Sequence, residues 1–161
     1  MPIPAGIRAH LEEQGPGPAV IAALEELLRR DRYLLEVDAN ERSISHRFGM
    51  YLQAVFPEFD VDCEYNRDGI EPKRLGHFGL GPNEEDSDAK TVFPDVVIHQ
   101  RGRPENYLVI EFKKSSSMVD HEVDLRKLRG YKEDRYLRYQ YALFLLLNVG
   151  EEPGVGAARW L

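Results

Sequence analysis

The chain has 161 residues, with 28 Asp/Glu against 21 Lys/Arg and a formal charge of −7. That length suits one domain with a full core, the acidic balance argues against a protein that coats DNA, and no run of about eighteen apolar residues is present to span a membrane. A single cysteine, Cys63, excludes a disulfide framework and a cysteine-based zinc site. The opening MPIPAGIRAH lacks the basic and apolar regions of a secretory leader, so a reducing, cytoplasmic location is expected.

The first eighteen residues contain four prolines and three glycines. They predict a loose arm over residues 1–17 with one helical turn, ahead of a single domain over 18–161. Residues 18–30 predict a helix, with Pro18 in the first turn and Val20, Leu24, Leu27 and Leu28 on one face. A second helix is expected over 41–56, capped by Asn40 and ended by Pro57. Its apolar stripe runs through Ile44, Phe48, Tyr51, Leu52 and Val55, and Glu41 continues that stripe. Residues 60–66 alternate as a strand. Residues 67–90, rich in Gly, Pro and acid, predict a long loop. Strands are expected over 91–99 and 106–112 around a turn containing Gly102 and Pro104, pairing as an antiparallel hairpin. Both are apolar on both faces, as a sheet covered on two sides requires. A helix over 119–130, a buried strand over 141–148 and a short strand over 157–161 complete the chain. The expected fold class is α/β, a mixed central sheet flanked by helices in the order helix, three strands, helix, strand.

Asp95 in VFPDVVI and Glu111 in LVIEFKK place charge inside apolar strands, where a carboxylate is costly unless paired. Glu111 and Lys113 share a strand face, because side chains at i and i+2 point the same way. A register that sets Asp95 beside Glu111 makes a pocket of two carboxylates and one lysine. Two carboxylates can hold Mg²⁺ or Mn²⁺, the metal activates a bound water, and Lys113 orients that water or offsets developing charge. The Phe112 carbonyl is a further candidate metal ligand. The plainer alternative makes Asp95 and Glu111 structural charges paired with Lys113 or an arginine. Neither His46 nor His99 has a second histidine at i+3 or i+4, which argues against a zinc pair. Trp160 reads as a core or interface anchor.

Pro94-Asp95 followed by Glu111-Phe112-Lys113 resembles the PD-(D/E)XK pattern of the restriction-endonuclease-like nuclease superfamily. The stretches ERSISHRFGMYLQAVFPEFDVDCEYNR, PDVVIHQRGRPENYLVIEFKK, DLRKL and YQYALFLLL resemble a small bacterial subgroup of it, over roughly residues 38–148. The resemblance implies a restriction-endonuclease-like core and a Mg²⁺- or Mn²⁺-dependent endonuclease acting on nucleic acid, DNA first. It implies Asp95, Glu111 and Lys113 as the catalytic set, with Glu41 joining the metal site. The alternative for Glu41 is a favourable first-turn charge. Lys114, next after the motif, is either a phosphate contact or a solvent-facing lysine; Lys127 and Gln140 stand where such nucleases touch DNA, with a structural role as the alternative; Asn66, Arg67 and Lys73 are candidates to border the cleft or to form a polar turn.

Residues 101–141 hold ten Lys/Arg and seven Asp/Glu, a locally basic stretch in an acidic chain. It is either a face for phosphates or a solvated helix surface. Two functions therefore compete: a metal-dependent nuclease, and a non-catalytic module of the same fold that binds nucleic acid or protein as a partner subunit. A nuclease this small gains from a homodimer that covers both strands of a duplex, for which the apolar C-terminal segment is the candidate interface.

Overall fold

The structure is a computed structural model that describes residues 2–65 and 94–161, together with the backbone of residues 67–68, 71–72, 74–75 and 90–91. Among the described residues five helices are formed: α1 (Ala5–Glu12), α2 (Gly17–Arg30), α3 (Arg32–Glu36), α4 (Glu41–Val55) and α5 (His121–Glu133). The main sheet has five strands: β1 (Asp60–Cys63), β2 (Val96–His99), β3 (Asn106–Lys114), β4 (Tyr141–Asn148) and β5 (Gly154–Trp160), side by side in that order. All neighbours are antiparallel except β3 and β4, which run parallel with α5 as the crossover between them. This is an α/β domain built on a mixed sheet with helices on both faces.

The sheet separates two cores. On one face Val96, Ile98, Leu108, Ile110, Phe112, Leu143, Leu145 and Leu147 pack with Leu24, Leu27, Ile44, Phe48 and Leu52 of α2 and α4. On the other, Val97, Val109, Ala142 and Phe144 meet Leu125, Leu128 and Tyr131 of α5. Strands buried on both faces explain the continuous apolar runs of β2 and β4. Among the described residues no helix is long and apolar enough to cross a membrane.

The helix over 41–56 forms as expected, with the Asn40 side chain accepting from Ser43 N at 2.9 Å. The hairpin also forms, in the antiparallel sense. The N-terminal arm does not behave as a loose arm. Ala5–Glu12 is helical, buries Leu11, and packs on α2 and β5. Pro4 sits just ahead of its first turn, a position where the missing amide costs nothing. At Gly17 a Cβ would lie 1.8 Å from Leu11 O, so the turn from α1 into α2 closes only on glycine. Trp160 Nε1 donates to His10 O at 3.2 Å, so the apolar surface of the C-terminal segment is used inside the chain, against α1.

Several boundaries move, among them the ends of the strands expected over 60–66 and 157–161, which are Asp60–Cys63 and Gly154–Trp160. The expected strand over 91–99 begins at Val96, because Pro94 has no amide to donate to a ladder. Thr91 pairs instead with Arg74, so that among the described residues the segment expected to be a single loop, 67–90, contributes to two short ladders, 67–68 with 71–72 and 74–75 with 90–91. The helix expected over 119–130 starts after Asp120, whose side chain accepts from Glu122 N at 3.0 Å, and runs on to Glu133.

Candidate active site

The site lies where β2 stops and β3 continues. Val96 stands opposite Ile110, so one step further Asp95 stands opposite Glu111. With no strand partner left at this point, Phe112 N donates to Asp95 Oδ2 at 2.9 Å. Glu111 and Lys113 both project to the α5 face, as their i, i+2 spacing requires. There Lys127 Nζ lies 3.5 Å from Glu111 Oε2, and Lys113 Nζ lies 3.0 Å from Asp124 Oδ2. Lys127 Nζ also reaches Asp124 Oδ1 at 3.3 Å.

The electrostatics of this group are unbalanced. Glu111 is 1% exposed and Asp124 2%. Burial, then the Asp95 charge, push the Glu111 carboxyl well above its usual range, and the opposing pull of Lys127 does not offset them. Burial likewise raises Asp95, against the hydrogen bonds it makes to Glu111 and to Phe112 N. With both carboxyls ionised no proton stands between them, and Glu111 Oε1 is a buried acceptor without a donor. A proton shared by the pair, or a cation, supplies what that oxygen lacks. Asp124 Oδ2 has the Lys113 charge beside it but no aligned hydrogen bond, and the Tyr131 hydroxyl is also buried without a partner. Burial disfavours the Lys127 ammonium, yet Glu111, Asp124 and Asp95 together outweigh it and hold that group above its ordinary value.

Glu41 sits in the first turn of α4, half-buried. Burial and then the charge of Asp95 raise its carboxyl, while Lys113 and Lys114 draw it back. It is therefore within electrostatic reach of the pair, although α4 lies on the sheet's other face. Lys127 is brought into the group, but to carboxylates rather than to an open surface. Lys114 is not: one residue past Lys113, it points to the opposite face, where its ammonium binds Ala39 O at 2.9 Å and Asp38 Oδ1 at 2.8 Å. Nor is Gln140. Its backbone N donates to Asn106 O, five residues and about 16 Å along β3 from Glu111. Asn66, Lys73 and the side chain of Arg67 lie outside the described residues.

Asp124 was missed by the sequence reading, although a signal was present. Asp124, Leu128 and Tyr131 share one helix face at i, i+4 and i+7, so the stripe that buries α5 begins on a carboxylate.

The donors gathered here are hard oxygens. Ser115 N bonds Leu147 O in β4, whereas Phe112 N turns the other way toward Asp95. The N–H and C=O of one strand residue face the same neighbour, so the Phe112 carbonyl opens toward Asp95, past the last β2 rung. Among the described residues, no group of three or more His, Cys, Asp or Glu is gathered closely enough to hold a metal on its own. Two carboxyls and this carbonyl are what the sheet offers. Comparison with protein-family models, with curated proteins and with solved structures gave no match.

Proposed function

We propose that the chain is a Mg²⁺- or Mn²⁺-dependent nuclease that hydrolyses phosphodiester bonds of nucleic acid, DNA first, at Asp95, Glu111 and Lys113. The observation that carries this reading is Glu111: a wholly buried carboxyl set against a second one, so that with both ionised one oxygen has no donor and calls for a proton or a cation. A purely structural ion pair has no use for such an arrangement, since apolar residues of equal volume stabilise as well or better. The order α4, β1, β2, β3, α5, β4 supports it too, because it is the order of the restriction-endonuclease-like core that the sequence resembles.

The residues fit a hard divalent ion. Asp95, Glu111 and the Phe112 carbonyl would hold it, and Glu41 would act on it from α4, directly or through water. Bound there, such an ion would lower the pKa of a water and screen charge on the scissile phosphate. The chain's own groups do the rest. Phe112 N fixes the Asp95 carboxylate. Asp124 fixes the Lys113 ammonium, which then orients the attacking water or offsets charge as the phosphate bond breaks.

The test is cleavage of single-stranded, duplex and branched DNA and of RNA by the purified protein in Mn²⁺, with and without chelator. Metal-dependent cleavage that disappears in Asp95→Asn and Glu111→Ala is the expected result. Cleavage that persists in both variants refutes the site. A second reading, a non-catalytic module that binds nucleic acid or a protein partner, rests on one specific observation. Both lysines of the site already have carboxylate partners in Asp124 and Glu111. No cleavage of any substrate by the wild type favours that module.

A further inference from the structure

Resting on the metal-site reading above, we infer that Lys127 is an internal counter-cation that competes with the divalent ion for Glu111, and that Asp124 is the seat to which its ammonium withdraws. Lys127 Nζ lies 3.5 Å from Glu111 Oε2 and 3.3 Å from Asp124 Oδ1, so one ammonium is shared by two buried carboxylates on different elements. Glu111 comes from β3 and is fixed by the sheet. Asp124 precedes Lys127 by one turn of α5, so the two travel together. An ammonium and a divalent ion at the same carboxylate repel each other strongly where water is scarce. Metal at Glu111 must therefore displace Lys127, and the lysine stem can move Nζ from Glu111 toward Asp124 without moving the helix. Lys113 holds the other Asp124 oxygen at 3.0 Å, which leaves Oδ1 as the position Lys127 can occupy. Lys127 thus sets a threshold of metal concentration below which Glu111 keeps its ammonium partner. Displaced onto Asp124, it remains beside the site as a second positive group.

The experiment is titration of the full chain with Mn²⁺ alone, followed by the loss of the free-ion electron paramagnetic resonance signal, in wild type, Lys127→Met, Lys127→Gln and Glu111→Gln. Both Lys127 variants should bind Mn²⁺ about tenfold more tightly than wild type, the factor expected for removing a like charge at this range with substantial screening. Glu111→Gln should lose binding at this site. In chelator the two Lys127 variants should melt at a lower temperature than wild type, because Glu111 then loses its counter-charge. Unchanged or weakened Mn²⁺ binding in folded Lys127→Met and Lys127→Gln overturns the inference. Tightened binding without cleavage of any nucleic acid upholds it and sinks only the nuclease reading. Absence of Mn²⁺ binding in wild type and in both Lys127 variants overturns the inference and the metal site together.

Discussion

At the His99 end of β2, Asp62 accepts from His99 Nε2 at 2.8 Å and from Arg101 Nε at 2.8 Å, while Arg101 Nη2 holds its other oxygen. At the Asp95 end of the same strand, Glu111 is more deeply buried, faces a second carboxyl, and with both ionised has an oxygen without a donor. Burial pushes carboxyls upward in both places. At Asp62 the bonds from His99 and Arg101 outweigh it, and the carboxyl is held far below its usual range. At Glu111 a second carboxyl adds to burial, and the group is held above. Four residues therefore separate a charge cluster that stabilises the fold from one that strains it, and the difference lies in what faces the carboxylate. Satisfied clusters tie elements together; an unsatisfied buried one is a candidate for a ligand site.

The largest expected effect is on activity. Glu111→Ala or Asp95→Asn should reduce the proposed Mn²⁺-dependent cleavage by roughly a thousandfold or more, since each removes a charged oxygen on which the proposed metal site depends. Asp62→Asn should leave cleavage unchanged in initial-rate assays with the same substrates. Equal losses from both ends would break the comparison.

Stability should respond in the opposite order. Asp62→Asn removes an acceptor on which two partners converge and should cost about 1–3 kcal/mol in urea unfolding near neutral pH. Because the folded-state pKa of Asp62 is depressed, its contribution is fully present above the ordinary Asp value of about 3.9 and is lost as pH falls from there toward the folded-state value. Wild type should accordingly lose stability faster than Asp62→Asn as pH is lowered below about 4. Parallel stability curves in that window would show that the His99–Arg101 grip contributes nothing.

Glu111→Gln should go the other way in chelator, gaining about 1 kcal/mol, because the amide keeps the shape and can donate to Asp95 while the buried charge is gone. A melting temperature below that of wild type would mean that the Lys127 charge beside Glu111 outweighs burial and the repulsion from Asp95.

The smallest effect concerns Cys63, paired with Val96 between the two clusters. Although the residue is exposed, desolvation of its thiol, then Asp62 and then Asp95, push that thiol up to about 11, and its Sγ donates to Ser45 O at 3.2 Å. Native protein should react slowly with a thiol reagent at pH 8, and Asp62→Asn should speed the reaction severalfold by removing the nearer charge. A rate insensitive to that substitution would confine the Asp62 charge to its own ion pairs.

Much of the fold was legible in the residues because local rules governed it. Asn40 and the stripe Ile44–Phe48–Tyr51–Leu52 specified α4, doubly apolar runs specified β2 and β4, and the period of two put Glu111 and Lys113 on one face. The same period should have set Lys114 apart, since the next residue of a strand faces the other side. The N-terminal helix was hidden because proline and glycine suggest a loop wherever they gather, whereas Pro4 and Gly17 flank α1 rather than interrupt it.

By itself, then, the sequence determined which residues alternate, cap and break, and so put Asp95, Glu111 and Lys113 forward as candidates. It did not determine which elements meet. That Asp95 stands opposite Glu111 follows from the β2–β3 register. That Asp124 and Lys127 join them follows from α5 crossing over β3 and β4, and that Gln140 stays away follows from where β4 begins. Contacts between residues far apart in sequence depend on how whole faces pack. A helix stripe records that a side is buried, and only the packed sheet decides what that side is buried against.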